Sequence, residues 1–137
     1  MEFRTLKLQP EEYEKILFIL SSLQHRAKAQ AVCLISRSGQ EIAFHGEADW
    51  LDRQALSSLA ASNLAATFGL AKLIREREFE RIYHKGEKFS ILINPAGETA
   101  LLLFILENDG GPPIDWRSLK QAIMILEDMM EKSNQRS

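Results

Sequence analysis

From Gln54 to Ala71 the chain runs eighteen residues without one charged side chain. Such a run belongs either to a membrane span or to a helix that gives up more than one side to burial. Gln54, Ser57, Ser58, Ser62, Asn63 and Thr67 make it too polar to span a bilayer. Asp49 and Asp52 stand just ahead of it and offer the side-chain oxygens that cap a helix N-terminus. At about 100° per residue, Ser62, Ala65 and Gly69 fall within roughly 40° of Ser58, and Ala61 lies about 60° away, so these positions form a smooth stripe. On the other side Leu56, Ala60, Leu70 and Ile74 cluster, with Leu64, Phe68 and Ala71 on the flank. This side is predicted to cover one face of a sheet, and Asn63 and Thr67 fall toward it as hydrogen-bonded groups. Glycine inside a helix costs about 1 kcal/mol relative to alanine, so Gly69 requires a packing reason. Both sides of the helix call for burial, and a chain of 137 residues has little left to cover the second. The remaining side is expected to meet another chain.

The rest of the sequence supplies the frame for this helix. Pro10, tolerated at the first helical position, is followed by Glu11 and Glu12 at the positive dipole end, and Tyr13, Ile16, Leu17, Leu20 and Leu23 recur at helical spacing. Ala31–Ile35 is an apolar run of strand length, Arg37-Ser-Gly39 turns the chain, and Glu41–Phe44 continues as its hairpin partner. After the second helix, Arg81–His84, Phe89–Ile93 and Thr99–Leu106 read as strands. They are separated by Lys85-Gly-Glu87 and Asn94-Pro-Ala-Gly-Glu98. Leu101–Leu106 is apolar at every position and is expected at the sheet centre. Asp109–Pro113 reads as a loop, Leu119, Ile123, Leu126 and Met130 mark a third amphipathic helix, and the polar residues 131–137 read as a frayed tail. The predicted order is α-β-β-α-β-β-β-α, an α/β sandwich with a five-stranded, mainly antiparallel sheet in a single domain spanning 1–137.

Charge and composition remove several functions. Seventeen basic against nineteen acidic side chains leave a net charge of -2, so no global positive field attracts nucleic acid. One cysteine, Cys33, allows neither an intramolecular disulfide nor a thiolate metal cluster, and a reducing cytoplasm is the expected compartment. Residues 1–9 lack the apolar run of a secretory signal. None of the seven glycines begins a phosphate-binding loop, so the chain is not expected to hydrolyse nucleotide itself. His25, His45 and His84 are scattered without ligand spacing, which gives no metal site, and no cofactor or catalytic residue is predicted. Cys33 lies in an apolar strand, where a thiol behaves as a small hydrophobe. Glu76, Glu78 and Glu80 alternate with Arg75, Arg77 and Arg81, which reads as a solvated, ion-paired segment; an arginine finger for a partner's nucleotide site is the competing reading.

Leu56–Ala66, Gly69-Leu-Ala-Lys-Leu-Ile74, Glu78-Phe79 and His84-Lys-Gly-Glu87 together resemble the roadblock family of dynein-light-chain-related proteins, in its bacterial gliding-motility branch. The likeness covers about Tyr13 to Asn108, and it departs at Ser62, where that family commonly has glycine. The resemblance implies a profilin- or longin-like sandwich and a homodimer with antiparallel second helices. It further implies that the strand Arg81, Ile82, Tyr83 and His84 pairs with its copy across the two-fold. The paired helices would form the platform for an MglA-like, Ras-family small GTPase, with two copies of this chain per GTPase. Carried onto this sequence, the platform is Ser58, Ala61, Ser62, Ala65, Gly69 and Lys72. The implied activity is stimulation of GTP hydrolysis by repositioning the GTPase's own switch elements, in motility or polarity. The alternative is a dimeric adaptor that binds without accelerating hydrolysis. The long C-terminal extension of characterised members of that branch is expected to be missing, which leaves open any part it plays in nucleotide exchange. A small-molecule sensor has no residue pattern in its favour.

Overall fold

The computed structural model describes residues 8–108 and 115–135. The elements are α1 (Pro10–Ala27), β1 (Ala29–Ser36), β2 (Glu41–Gly46), α2 (Arg53–Leu73), β3 (Ile82–Lys85), β4 (Phe89–Ala96), β5 (Ala100–Glu107) and α3 (Trp116–Gln135). This is the order read from the sequence. The strands form one antiparallel sheet in the order β2-β1-β5-β4-β3. β5, the all-apolar strand, lies at its centre because only a strand covered on both faces can bury every side chain from Ala100 to Ile105.

Alternation along β5 divides the core in two. Ala100, Leu102 and Phe104 join Ile16, Leu20 and Leu23 of α1 and Leu119, Leu126 and Met130 of α3 on one face. Leu101, Leu103 and Ile105 join Cys33, Ile93, Ala60, Ala61 and Leu64 beneath α2 on the other. The helix ends are closed by their own side chains. Gln9 and Glu12 form a capping box at α1, and Asp52 accepts a hydrogen bond from the Ala55 N–H at 3.0 Å at the start of α2. At the end of α2 Arg75 takes φ 63° and the Glu76 N–H returns to the Ala71 carbonyl at 2.8 Å, which terminates the helix without glycine.

Three local features depart from the sequence reading. Asn94 and Pro95, expected in a turn, lie within β4 opposite Leu102 and Leu101. The proline is tolerated because β3 stops pairing at Ile93, leaving β4 an edge strand from there on. β3 begins one residue later than expected, so Arg81 precedes it and Lys85 belongs to it. α3 continues through Gln135 with Ser133 fully buried, beyond the point where the polar composition of residues 131–137 predicts fraying. The loop expected at Asp109–Pro113 lies outside the described residues.

Candidate protein-interaction site

α2 buries Ser57, Ala60, Ala61, Leu64 and Ala71 against the sheet. This side is made of small residues because the helix lies close over the strands. The β1–β2 turn also comes up beside it, where a Cβ on Gly39 would stand 3.3 Å from the Ser58 Cα and 3.9 Å from the Ala61 Cβ. Two expectations are corrected by this rotation. Leu70 and Ile74, assigned to the sheet side, are exposed, at 56% and 64% of their surface. Ala61, assigned to the platform, is buried in the core beneath the helix.

The exposed surface of α2 carries two stripes. Ser58, Ser62, Ala65 and Gly69 form the smooth one, and all are exposed. The Ser62 hydroxyl donates to the Ser58 carbonyl at 3.1 Å, which folds the polar group back onto the helix and keeps the surface flush. A Cβ on Gly69 would meet nothing within 4 Å, so the missing methyl serves no contact inside this chain. Lys72 closes this stripe, its Nζ standing 4.6 Å over the Phe68 ring. The second stripe is apolar. Leu59 and Leu73 are 69% and 80% exposed, and with Ala66 and Leu70 they make a ridge on the flank toward β3. Sequence reasoning missed Leu59 and Leu73, although their seven-residue spacing through Ala66 is the signature of a helix seam.

β3 adjoins that ridge. It pairs with β4 on one side only, so its other edge is open, and Tyr83, His84 and Lys85 are exposed there while Ile82 is buried. An edge of unpaired N–H and C=O groups beside exposed apolar side chains is a template for strand addition. His84 and Asn63 join strand to helix, Nε2 and Oδ1 standing 3.3 Å apart. Between the start of α2 and β3 lies an apolar groove of about 410 Å³, with Trp50 and Phe89 rings 5.7 Å apart and Leu56 on one wall.

The ionisable groups near this surface are engaged in structure. Arg53 makes a two-pronged ion pair with Glu41 at 2.7 and 2.6 Å and lies 4.0 Å over the Phe44 ring; the hydrogen bonds to Glu41 hold its guanidinium protonated more firmly than usual. Burial, and secondarily the charge of Glu41, pushes the Cys33 thiol up to about 12. Of the alternating Arg/Glu segment, Glu78 pairs at 3.0 Å with Arg37, whose guanidinium also donates to the Gly97 and Ala100 carbonyls. This ties the α2–β3 connection to the β4–β5 turn. The three histidines lie apart, His45 bonded to Gln24 of α1 and His84 to Asn63. Among the described residues no group of three His, Cys, Asp or Glu is arranged to hold a metal, and no helix is long and apolar enough to cross a membrane.

Comparison with known proteins places this architecture. The Roadblock/LC7 domain matches residues 15–106. The Myxococcus xanthus MglB structure is 34% identical, with 93% of this chain and 96% of that chain covered and a TM-score of 0.83. The gliding protein MglB from Thermus thermophilus is 29% identical over 96% of this chain and 99% of that chain, with a TM-score of 0.82. A structure described as MglB with a tetrameric arrangement is 29% identical over 97% of this chain and 99% of that chain, with a TM-score of 0.84. Among curated protein sequences none matches the chain. Helix and strand order, the match over residues 15–106 and the near-complete alignment with MglB lead to one assignment: the chain belongs to the Roadblock/LC7 family, with MglB proteins among its relatives.

Proposed function

We propose that this chain is a dimeric regulator of an MglA-like, Ras-family small GTPase and stimulates GTP hydrolysis without a catalytic group of its own. The observation that carries the reading is the division of α2's exposed surface into an apolar ridge on the β3 side and a smooth stripe on the other. The ridge, with the open β3 edge, suits a second copy of the chain, consistent with the tetrameric arrangement described for one MglB relative. The smooth stripe of Ser58, Ser62, Ala65, Gly69 and Lys72 stays outward in such a pair. Two stripes side by side then offer one GTPase a broad, low platform.

A surface of Ser, Ala and Gly brings no charge to a transition state, so acceleration must come from selecting a GTPase conformation. A regulator that fits the hydrolysis-competent arrangement of the switch segments better than the others shifts the population by the difference in affinity. Engagement of Arg75 in ending α2 and of Glu78 with Arg37 supports a structural use of the charged segment over an arginine finger.

GTP turnover by the small GTPase of the same cell, measured with and without this protein, tests the reading. Turnover rises at saturating complex if the chain is an activator. Binding with unchanged turnover would make it an adaptor. Ala65→Arg and Gly69→Arg each place a long cation on the stripe without touching the core and are expected to abolish GTPase binding; binding retained by both moves the contact elsewhere.

A further inference from the structure

The apolar groove beside β3 is walled by His84 and Lys85 of the open strand and floored by Trp50, Leu51, Leu56 and Phe89. Trp50 is 63% exposed although its ring packs on Phe89, so a large aromatic surface faces water on a chain of ordinary composition. At the opposite end of α2, Leu70 and Ile74 are exposed with nothing of this chain over them. Groove and knobs share one line of the helix. At about 100° per residue, Leu56, Leu70 and Ile74 all lie within roughly 20° of the direction of Asn63. Asn63 is the residue that reaches β3, through His84.

A two-fold axis relating two copies of β3 passes beside the middle of the four-residue strand Ile82–Lys85. His84 meets Asn63, so the same axis crosses α2 near Asn63. Two antiparallel helices then align each residue with one equally far on the other side of Asn63. Leu70 falls at the level of the partner's Leu56, and Ile74, four residues further, at the level of the partner's Trp50–Asp52 segment. An isologous interface requires each contact to occur twice, and one knob and one groove per chain satisfy that requirement and close at two copies.

We propose that the groove is the receptor for the C-terminal end of α2 from a second copy of this chain, Leu70 and Ile74 lodging between the partner's Trp50, Leu56 and Phe89. The assignment rests on the dimer proposed above and makes Trp50 its anchor. Large aromatic side chains seated in desolvated pockets carry most of the energy in such interfaces. The groove is then filled in the dimer and is not a small-molecule site.

Crosslinking tests the register. In the double variant Trp50→Cys/Ile74→Cys the two thiols of one chain sit at opposite ends of α2, on the order of 30 Å apart, far beyond disulfide reach. Mild oxidation is expected to give a covalent dimer on a non-reducing gel, while each single variant stays monomeric there. Cys33 is buried and adds no background. A second readout needs no cysteine: in Trp116→Phe, which leaves Trp50 as the one tryptophan, emission is expected to shift to the red as the dimer is diluted apart. Trp50→Ala is expected to weaken dimerisation by roughly tenfold or more. A wild-type dimer in sedimentation, combined with no crosslink and concentration-independent emission, overturns the groove assignment and leaves the dimer standing. A wild type that sediments as a monomer at every concentration overturns both.

Discussion

Against the sheet face that carries Val32, Leu102 and Phe104, two helices pack and shut the core, with Leu119, Leu126 and Met130 of α3 meeting Ile16 and Leu20 of α1 above the strands. Against the face that carries Cys33, Leu103 and Ile105, α2 packs alone, through Ala60, Ala61 and Leu64. The two-helix layer leaves Phe18, Met124 and Ile125 exposed around a shallow depression. The single helix leaves a continuous ridge, Leu59 through Leu73, next to an unpaired strand edge. Scattered apolar exposure is ordinary on soluble proteins, whereas a ridge aligned with an open edge marks an interface. One face is therefore closed by the fold and the other is left for a second chain to close.

Leu59→Arg puts this contrast at greatest risk. A guanidinium in the centre of the ridge would be buried without a partner by dimerisation, and loss of association is expected across the accessible concentration range. Phe18→Arg, on the two-helix layer, should leave the dimer intact. Sedimentation velocity of the two variants beside the wild type decides it, and dissociation by Phe18→Arg alone would invert the comparison.

Stability separates the faces next. Phe104→Ala empties a fully buried site under both helices and should cost about 3–5 kcal/mol, whereas Leu64→Ala, at the thinner α2 contact, should fall near the low end of the roughly 2–5 kcal/mol range for such truncations. Denaturant unfolding in a Leu59→Arg background keeps subunit association out of both numbers. Equal losses would show that the lone helix seals its face as firmly as the pair does.

Cys33 probes the same contact through pH. Its thiol lies under α2, and burial raises it from the ordinary 9.0 to about 12. Below pH 9.0 both folded and unfolded chains keep the proton, so the contribution is fully present. Between 9.0 and 12 the unfolded chain releases the proton and the folded chain holds it, so stability falls as pH rises. The wild type should therefore lose ground to Cys33→Ala over that window, by up to roughly 4 kcal/mol at its upper end. Parallel pH profiles would mean that water reaches Cys33 beneath α2.

The sequence carried the layers better than it carried the surface. Periodicity placed Leu119, Ile123, Leu126 and Met130 on one buried face, and the unbroken apolar run of β5 placed it at the centre, because both signals come from burial within one chain. The rotation of α2 was harder to read. Helical-wheel reasoning sends large apolar residues inward, and here small ones go in, since the close approach of the sheet and of the Gly39 turn leaves room only for Ser57, Ala60 and Ala61. Leu70 and Ile74 were displaced outward as a result. Asn94 hid for a related reason: an Asn-Pro pair reads as a turn, yet both its side-chain polar atoms are buried in β4 without a hydrogen-bond partner. Such positions answer to neighbours distant in sequence, which local patterns do not encode.

The smallest expected effect discriminates most finely. Gly69 sits inside α2, where alanine would be favoured by about 1 kcal/mol. Its backbone is not in the left-handed region, and an added methyl meets nothing within 4 Å. Conformation and intrachain packing therefore give no reason for glycine here. Gly69→Ala should raise the stability of this chain by about 1 kcal/mol, read as a higher denaturant midpoint. If the smooth stripe receives the GTPase, the same methyl stands between two surfaces in close contact, and GTPase affinity should fall while dimerisation through the ridge is unchanged. Weakened dimerisation instead would assign Gly69 to the copy-to-copy contact. Unchanged affinity for both partners would leave the exposed glycine with no interface to explain it, and the division of α2 into two working surfaces would fail.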